Sequence, residues 1–268
     1  MKIILSRKGF DSGYGKIASP ILPDGTLLSM PIPTADKTTY ESLSYKGKKY
    51  SEIIDDLWKG HKKEFEGQTC HLDPDLRKDV IERDVDWRPA FGQSDSALSH
   101  LYNQGVKEGD IFLFFGWFKQ TEYHNGKLRF VKGAPNLHII YGYLQIGDIK
   151  KKEETKQIYW HPHAAYEGKK NELNAIFLPT DNLLDTNFSG SGVFKYNKDL
   201  VLTKEGFKDN RSRWDLPECL VGKPISYHTE ESYKDGYFQS VAKGQEFVVE
   251  ADEDIIKWIK SLTNYIDD

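Results

Sequence analysis

Four short segments hold side chains able to bind an anion, move a proton or ligate a metal. The first runs Ser6-Arg7-Lys8-Gly9-Phe10-Asp11-Ser12-Gly13-Tyr14-Gly15, directly after the apolar Ile3-Ile4-Leu5. Its glycines let backbone N–H groups converge on a ligand, and Arg7 and Lys8 add charge. Ser6, Arg7 and Lys8 are therefore candidate phosphate ligands. Asp11 is a candidate partner for a ribose hydroxyl, or a general base. The loop matches neither GxxxxGK[ST] nor GxGxxG. Read without function, it is a polar turn held by a surface ion pair.

The second segment, His71-Leu72-Asp73-Pro74-Asp75, sets an imidazole beside two carboxylates, a set suited to acid–base work or a metal. Asp73 is its candidate catalytic group; the alternative is an Asp-Pro turn. In the third, Gly92-Gln93-Ser94-Asp95 leads into a helix that carries His100. Free N–H groups at a helix start favour an anion, and the Gln93 amide could read a base edge. Gln93 and Ser94 are thus expected at the substrate and His100 among the catalytic groups, against an ordinary N-cap and a satisfied histidine. In the fourth, His161 and His163 flank a proline. In an extended segment both rings share a face, but a metal there would need His138 or a carboxylate to complete its shell. No metal is assigned on these two residues alone. Ser189-Gly190-Ser191-Gly192 reads as a surface turn, and no GxSxG elbow or Ser-His-Asp order is present.

The elements that must position these groups are legible from periodicity. A strand over 3–5 precedes the first loop. Pro20, Pro23, Pro31 and Pro33 exclude helix after it, and a strand is expected at 26–28 beyond the Pro23-Asp24-Gly25 turn. Helices are expected at 51–59, with Ser51 as cap, at 96–103, and at 253–265, where Ile255, Ile256, Ile259 and Leu262 form a stripe. The apolar run 111–115 reads as a strand buried on both faces, which 116–118 extends, followed by an Asn125-Gly126 hairpin and a return strand at 128–131. A long strand over 138–147 and further strands at 174–179, 200–203 and 246–249 complete the pattern. Trp117, Phe118, Tyr141 and Tyr143 are assigned to the sheet core before any base-stacking role.

The chain has 268 residues, no repeat and no linker, and is read as one domain over 1–268. A net charge of −4 argues against coating duplex DNA through bulk charge. Lys150-Lys151-Lys152 is followed by Glu153-Glu154, as in a solvated loop. Cys70 and Cys219 are single and far apart, so no CxxC metal site exists. No apolar run approaches membrane-spanning length and no signal-like segment precedes the first strand, which together predict a cytoplasmic protein without membrane contact.

Four stretches resemble a known family: SRKGFDSGYGK with SPILPDGTLLSMPIP, then FGQSDSALSHLYNQGVKEGDIFLFFGWF, HIIYGYLQIGDI and WHPHA. Together they look like the third type of nucleotide-modification-associated domain, found in phages and bacteria, over nearly the whole chain. A fainter likeness, in VKEGDIFLFFG and HIIYGYLQI, is to PUA-like and ASCH/EVE barrels. The fold expected is mixed α+β, with a strand-rich central sheet or PUA-like barrel and flanking helices. The resemblance implies a nucleotide or a modified nucleic-acid base as partner and no particular reaction; the acid–base groups singled out above fit an enzyme of group-transfer or glycosidic-bond chemistry. The alternatives are a non-catalytic reader of modified bases and a phage–host interaction protein. No nicotinamide, flavin or haem motif appears, and no cofactor is assigned.

Overall fold

Eight successive uncharged residues, as at 111–118, are stable in water only when both faces of the strand are covered. That run opens the longest pair of strands in the fold. The computed structural model describes residues 1–58, 65, 67–165, 173–207, 210–242 and 245–267. Its principal sheet has nine strands: β1 (Lys2–Arg7), β2 (Ser19–Ile21), β3 (Phe91–Ser94), β4 (Ile111–His124), β5 (Lys127–Phe130), β6 (Leu137–Lys151), β7 (Asn174–Pro179), β8 (Ser191–Val193) and β9 (Glu246–Glu250). The order across the sheet is β9-β1-β4-β6-β7-β3, with β2 and β5 on β4 and β8 on β6. β1 and β4 run parallel, Arg7 opposite Phe115; β1 and β9 run antiparallel, Ser6 opposite Glu246. The strands curl into a half-barrel, and the fold is mixed α+β.

Two irregularities help the sheet bend. The β4–β6 register shifts between Ile140 and Gly142, and the β6–β7 register between Ile146 and Asp148. The concave side fills with aromatic rings: Phe91, Phe112, Phe114 and Phe177 pack with centroids 4.8–5.9 Å apart. Among the described residues three α-helices flank the sheet: α1 (Tyr50–Leu57), α2 (Asp95–Asn103) and α3 (Glu253–Leu262). α3 starts where the Asp252 side chain accepts from Ile255 N, and it buries Ile255, Ile259 and Leu262, with Ile256 only partly covered. A second apolar cluster, built from Phe10, Tyr40, Phe65 and the α1 face, supports the segment that carries His71.

The curl brings the two ends of the strand order together. Gln93, on edge strand β3, donates Nε2 to Glu246 Oε1 on edge strand β9 at 2.6 Å. Lys8, just past β1, places Nζ 3.1 Å from the same oxygen and 4.5 Å over the Phe91 ring. All three side chains are buried or nearly so. The half-barrel is thus latched by a buried carboxylate rather than by backbone ladders.

Some expected elements differ. The helix expected at 51–59 runs Tyr50–Leu57, Lys49 rather than Ser51 precedes it, and residue 59 lies outside the described residues. Residues 26–28 form only isolated bridges, because Asp24 Oδ1 accepts Thr26 N and holds the chain in a turn. Residues 200–203 likewise make single bridges. Asn197 caps a 3-10 turn at Lys198–Leu200, and the Thr203 hydroxyl rather than a ladder takes the His138 N–H.

Removing one partner of a buried ion pair leaves the other uncompensated, at a cost of about 3–5 kcal/mol. Glu246→Ala is expected to lower unfolding free energy in denaturant titrations by about that amount. Lys8→Met combined with Glu246→Leu is expected to recover much of the loss. A double variant as unstable as the single one would show that the latch is not held by charge pairing.

Candidate functional site

Successive residues of a strand face opposite sides, so Arg7 and Lys8 part company. Lys8 turns to the latch, beside Ser6 and Gln93. Ser6 Oγ and Glu246 Oε2 are buried there with no hydrogen-bond partner among the described residues. Arg7 turns the other way, where Nη2 donates to the Ala242 carbonyl at 2.7 Å. It opens on a cavity of about 270 Å³ lined by Arg7, Asp11, Trp117, His138, Arg211 and Ala242, among others.

This cavity is electropositive. Arg211 lies 4.3 Å from the centre of the Trp117 ring and donates to Ser12 Oγ at 2.7 Å. Burial pulls both guanidinium pKa values below the ordinary one; Asp11 offsets part of this, and Arg7 adds repulsion at Arg211. Asp11 spends Oδ1 on the turn, accepting Gly13 N at 2.7 Å and Tyr14 N at 2.6 Å. The buried His138 accepts Trp214 Nε1–H at Nδ1, 3.0 Å away. Its ring proton therefore sits on Nε2, as a donor. Burial first, then the charges of Arg211 and Arg7, hold its pKa well below the ordinary imidazole value. Larger clefts exist, but in the one of about 600 Å³ Arg77 and Lys195 are already paired with Asp267, at 2.6 and 3.5 Å.

A second polar centre lies within the fold. Gly92 N donates to Asp73 Oδ1 at 2.7 Å, and His161 Nε2 stands 3.2 Å from the same oxygen. The direction of the second contact falls short of an aligned hydrogen bond, so it is a close polar contact only. Burial opposes ionisation of Asp73, but His161, His163 and Lys8 outweigh it and hold the carboxyl well below its usual range. The His71 and His163 rings lie tilted against each other with centroids 5.1 Å apart, and ligand atoms of His71, Asp73 and His163 lie within 4.8 Å of one another. Burial is the chief cause that lowers the His163 pKa to about 4. Gly92 has no substitute here, since a Cβ would stand 2.2 Å from the His163 ring.

The sequence-predicted residues thus fall into separate places. Arg7 and Asp11 share the cationic cavity. Ser6, Lys8 and Gln93 meet at Glu246. Asp73 joins His71, His161 and His163, while Asp75 turns away to a bidentate pair with Arg83 at 2.6 and 2.8 Å. His161 and His163 are not extended: residues Pro162–Ala165 form a 3-10 turn, so the two rings take different partners. His138 does not complete their set. Its Nδ1 is held by Trp214 on the cavity side. His100 bonds Ser226 Oγ at 3.0 Å and packs on Tyr227, away from both centres. Ser94 ends β3 before α2 and contacts Asp95 rather than capping the helix. Arg211, Glu246, Asp36 and Asn174 were not singled out by sequence reasoning; each reaches its place through a long-range contact that no local motif marks.

A family model described as nucleotide modification associated domain 3 matches residues 2–250, and the chain belongs to that family. Membership links it to nucleotide or DNA modification. No curated protein and no solved structure matches the chain. Among the described residues no helix is long and apolar enough to cross a membrane.

Histidines that burial keeps neutral contribute to the acid response: His138, His163 as described above, and the half-buried His228. His228 donates Nδ1–H to Ser226 O at 2.9 Å and accepts Val241 N at Nε2, so its folded form is neutral; burial lowers its pKa, as at His138. The unfolded chain, with imidazoles near pKa ~6.5, binds more protons below that value. Stability is therefore fully present above about pH 6.5 and lost as pH falls toward the depressed folded values. Melting temperature is expected to be flat from pH 7 to 8 and to fall from pH 6.5 to 4.5. In His138→Gln this fall is expected to be shallower; an unchanged slope would remove His138 as a contributor.

Proposed function

We propose that this protein processes a nucleotide or nucleobase in base modification, and that it holds the phosphate of its substrate between Arg7 and Arg211. The observation that carries the reading is the pairing of two half-buried guanidinium groups in one small cavity with a third donor, His138 Nε2–H. Two like charges share the lining at an electrostatic cost that a bound anion reverses. A volume of about 270 Å³ suits a sugar-phosphate or a small nucleotide. Trp117, with Arg211 stacked on it, offers a planar surface beside that space. The net acidity of the chain fits recognition of one nucleotide unit, not of a duplex backbone.

An enzyme is favoured over a passive reader by the second centre. Asp73 and His163 lie buried together beside His161, with the carboxyl and the His163 imidazole both held below their ordinary pKa ranges, an arrangement that a pure binding module does not require. Group transfer at the base or at the glycosidic bond fits a carboxylate and imidazoles of this kind.

The test is thermal-shift titration with nucleoside 5′-monophosphates, the matching nucleosides and inorganic phosphate. Monophosphates are expected to raise the melting temperature, nucleosides far less, because stabilisation tracks occupancy. Arg7→Gln or Arg211→Gln each removes charge-assisted bonds worth about 1.5–3 kcal/mol, a loss of roughly 10- to 100-fold in affinity. Equal shifts from nucleoside and monophosphate, or shifts that survive both substitutions, would contradict the phosphate assignment. Mass spectrometry of the same incubations separates the two modes: a product of altered mass marks an enzyme, and saturable binding without product marks a reader.

A further inference from the structure

We propose that His71, Asp73 and His163 bind one divalent first-row transition-metal ion. Their ligand atoms lie within 4.8 Å of one another, so modest side-chain movement brings all three to metal–ligand distance. Neighbouring groups fix the proton positions on the three imidazole rings.

His71 Nδ1 faces Asp36 Oδ2 at 2.9 Å. A carboxylate only accepts, so Nδ1 carries the proton and Nε2 carries the lone pair. His163 Nδ1 faces Asn174 Oδ1 at 2.7 Å, and Asn174 Nδ2 donates to the His163 carbonyl at 2.8 Å. That second bond fixes the amide orientation, so Oδ1 is the acceptor and His163 also keeps its lone pair on Nε2. The Cδ2–Cγ edge of the His163 ring lies against Gly92, with Nε2 the next nearest ring atom, and the Gly92 N–H holds the Asp73 carboxylate. His161 differs. Its Nδ1 faces the His163 N–H at 3.3 Å, which leaves the proton on Nε2, facing Asp73. It is a positioning residue for the carboxylate, not a ligand.

The arrangement is two imidazole lone pairs and one carboxylate, each held from behind by an outer oxygen or N–H. Metal-binding histidines typically show this outer shell, in which the second ring nitrogen donates to a carboxylate or carbonyl. Asp36 lies behind His71 and brings the local carboxylate count to two, matching a dication. Two nitrogens and one oxygen select against Mg²⁺ and Ca²⁺, which take oxygen ligands, and suit Zn²⁺, Fe²⁺, Co²⁺ or Mn²⁺. An ion has a way in, because His71 and Asp36 keep 24% and 13% of their side chains exposed. The inference stands apart from the phosphate reading, since it uses no residue of the cationic cavity.

The experiment uses the full chain, stripped by chelator and reconstituted separately with Zn²⁺, Fe²⁺ under anaerobic conditions, Co²⁺, Mn²⁺ and Mg²⁺. Metal per chain is measured after gel filtration, and the visible absorption of the Co²⁺ form is recorded. About one equivalent of a first-row ion is expected, with no Mg²⁺ retained. His71→Ala, Asp73→Asn and His163→Ala should each lose it. Asn174→Leu should weaken affinity about 10- to 100-fold while the fold persists. Arg7→Gln should keep full occupancy, so failure of nucleotide binding and failure of metal binding are separable. If His163→Ala does not fold, the part-exposed His71→Ala gives the same test. A folded wild-type protein that retains no first-row ion, or one that holds an equivalent in both histidine variants, overturns the proposal.

Discussion

A buried ammonium needs a counter-charge, and in this fold that requirement determines where the edges of the sheet meet. Lys8 leaves β1 toward the concave side and finds Glu246 at 3.1 Å. Glu246 sits opposite Ser6 on one edge strand and takes Gln93 from the other edge strand on the same oxygen. One carboxylate thus joins β9, the end of β1 and β3. Without it the curled sheet would present two edges that no ladder joins, with a cation left inside.

The same alternation that turns Lys8 inward turns Arg7 outward, and this divides the polar chemistry of the molecule in two. On one side of β1 lies a cavity where cations outnumber anions. On the other lies a protected group of imidazoles around an ionised Asp73. The fields of the two meet at the latch: Glu246 offsets part of the burial that lowers the Arg7 pKa, and Lys8 helps to lower that of Asp73. A phosphate held at the first side would face a different environment from a proton or ion held at the second.

Much of the scaffold was legible because its signals are local. The uncharged run 111–118 could only be a covered strand. Asn125 and Gly126, both with positive φ, form the two-residue turn that their sequence demands. The spacing of Ile255, Ile259 and Leu262 gave α3. The Arg7–Asp11 loop and the residues around Asp73 were also visible as chemistry. What was not legible depends on contacts across long sequence separations. Arg211 reaches Ser12 across 199 positions and Glu246 reaches Gln93 across 153, with no motif around either. Local backbone detail misled the reading of His161 and His163: the proline between them starts a tight turn, so a rule for extended chain did not hold. Residues 26–28 and 200–203 carry strand-like side chains, yet neighbouring Asp24 and Asn197 offered side-chain caps that bent the chain first.

The measurement that bears most directly on the account is a crystal structure of the protein grown with a nucleoside 5′-monophosphate. The account predicts phosphate oxygens within about 3 Å of both the Arg7 and the Arg211 guanidinium groups, with the sugar toward Trp117. A nucleotide bound elsewhere, with the Arg7–Arg211 cavity holding only solvent, would contradict it.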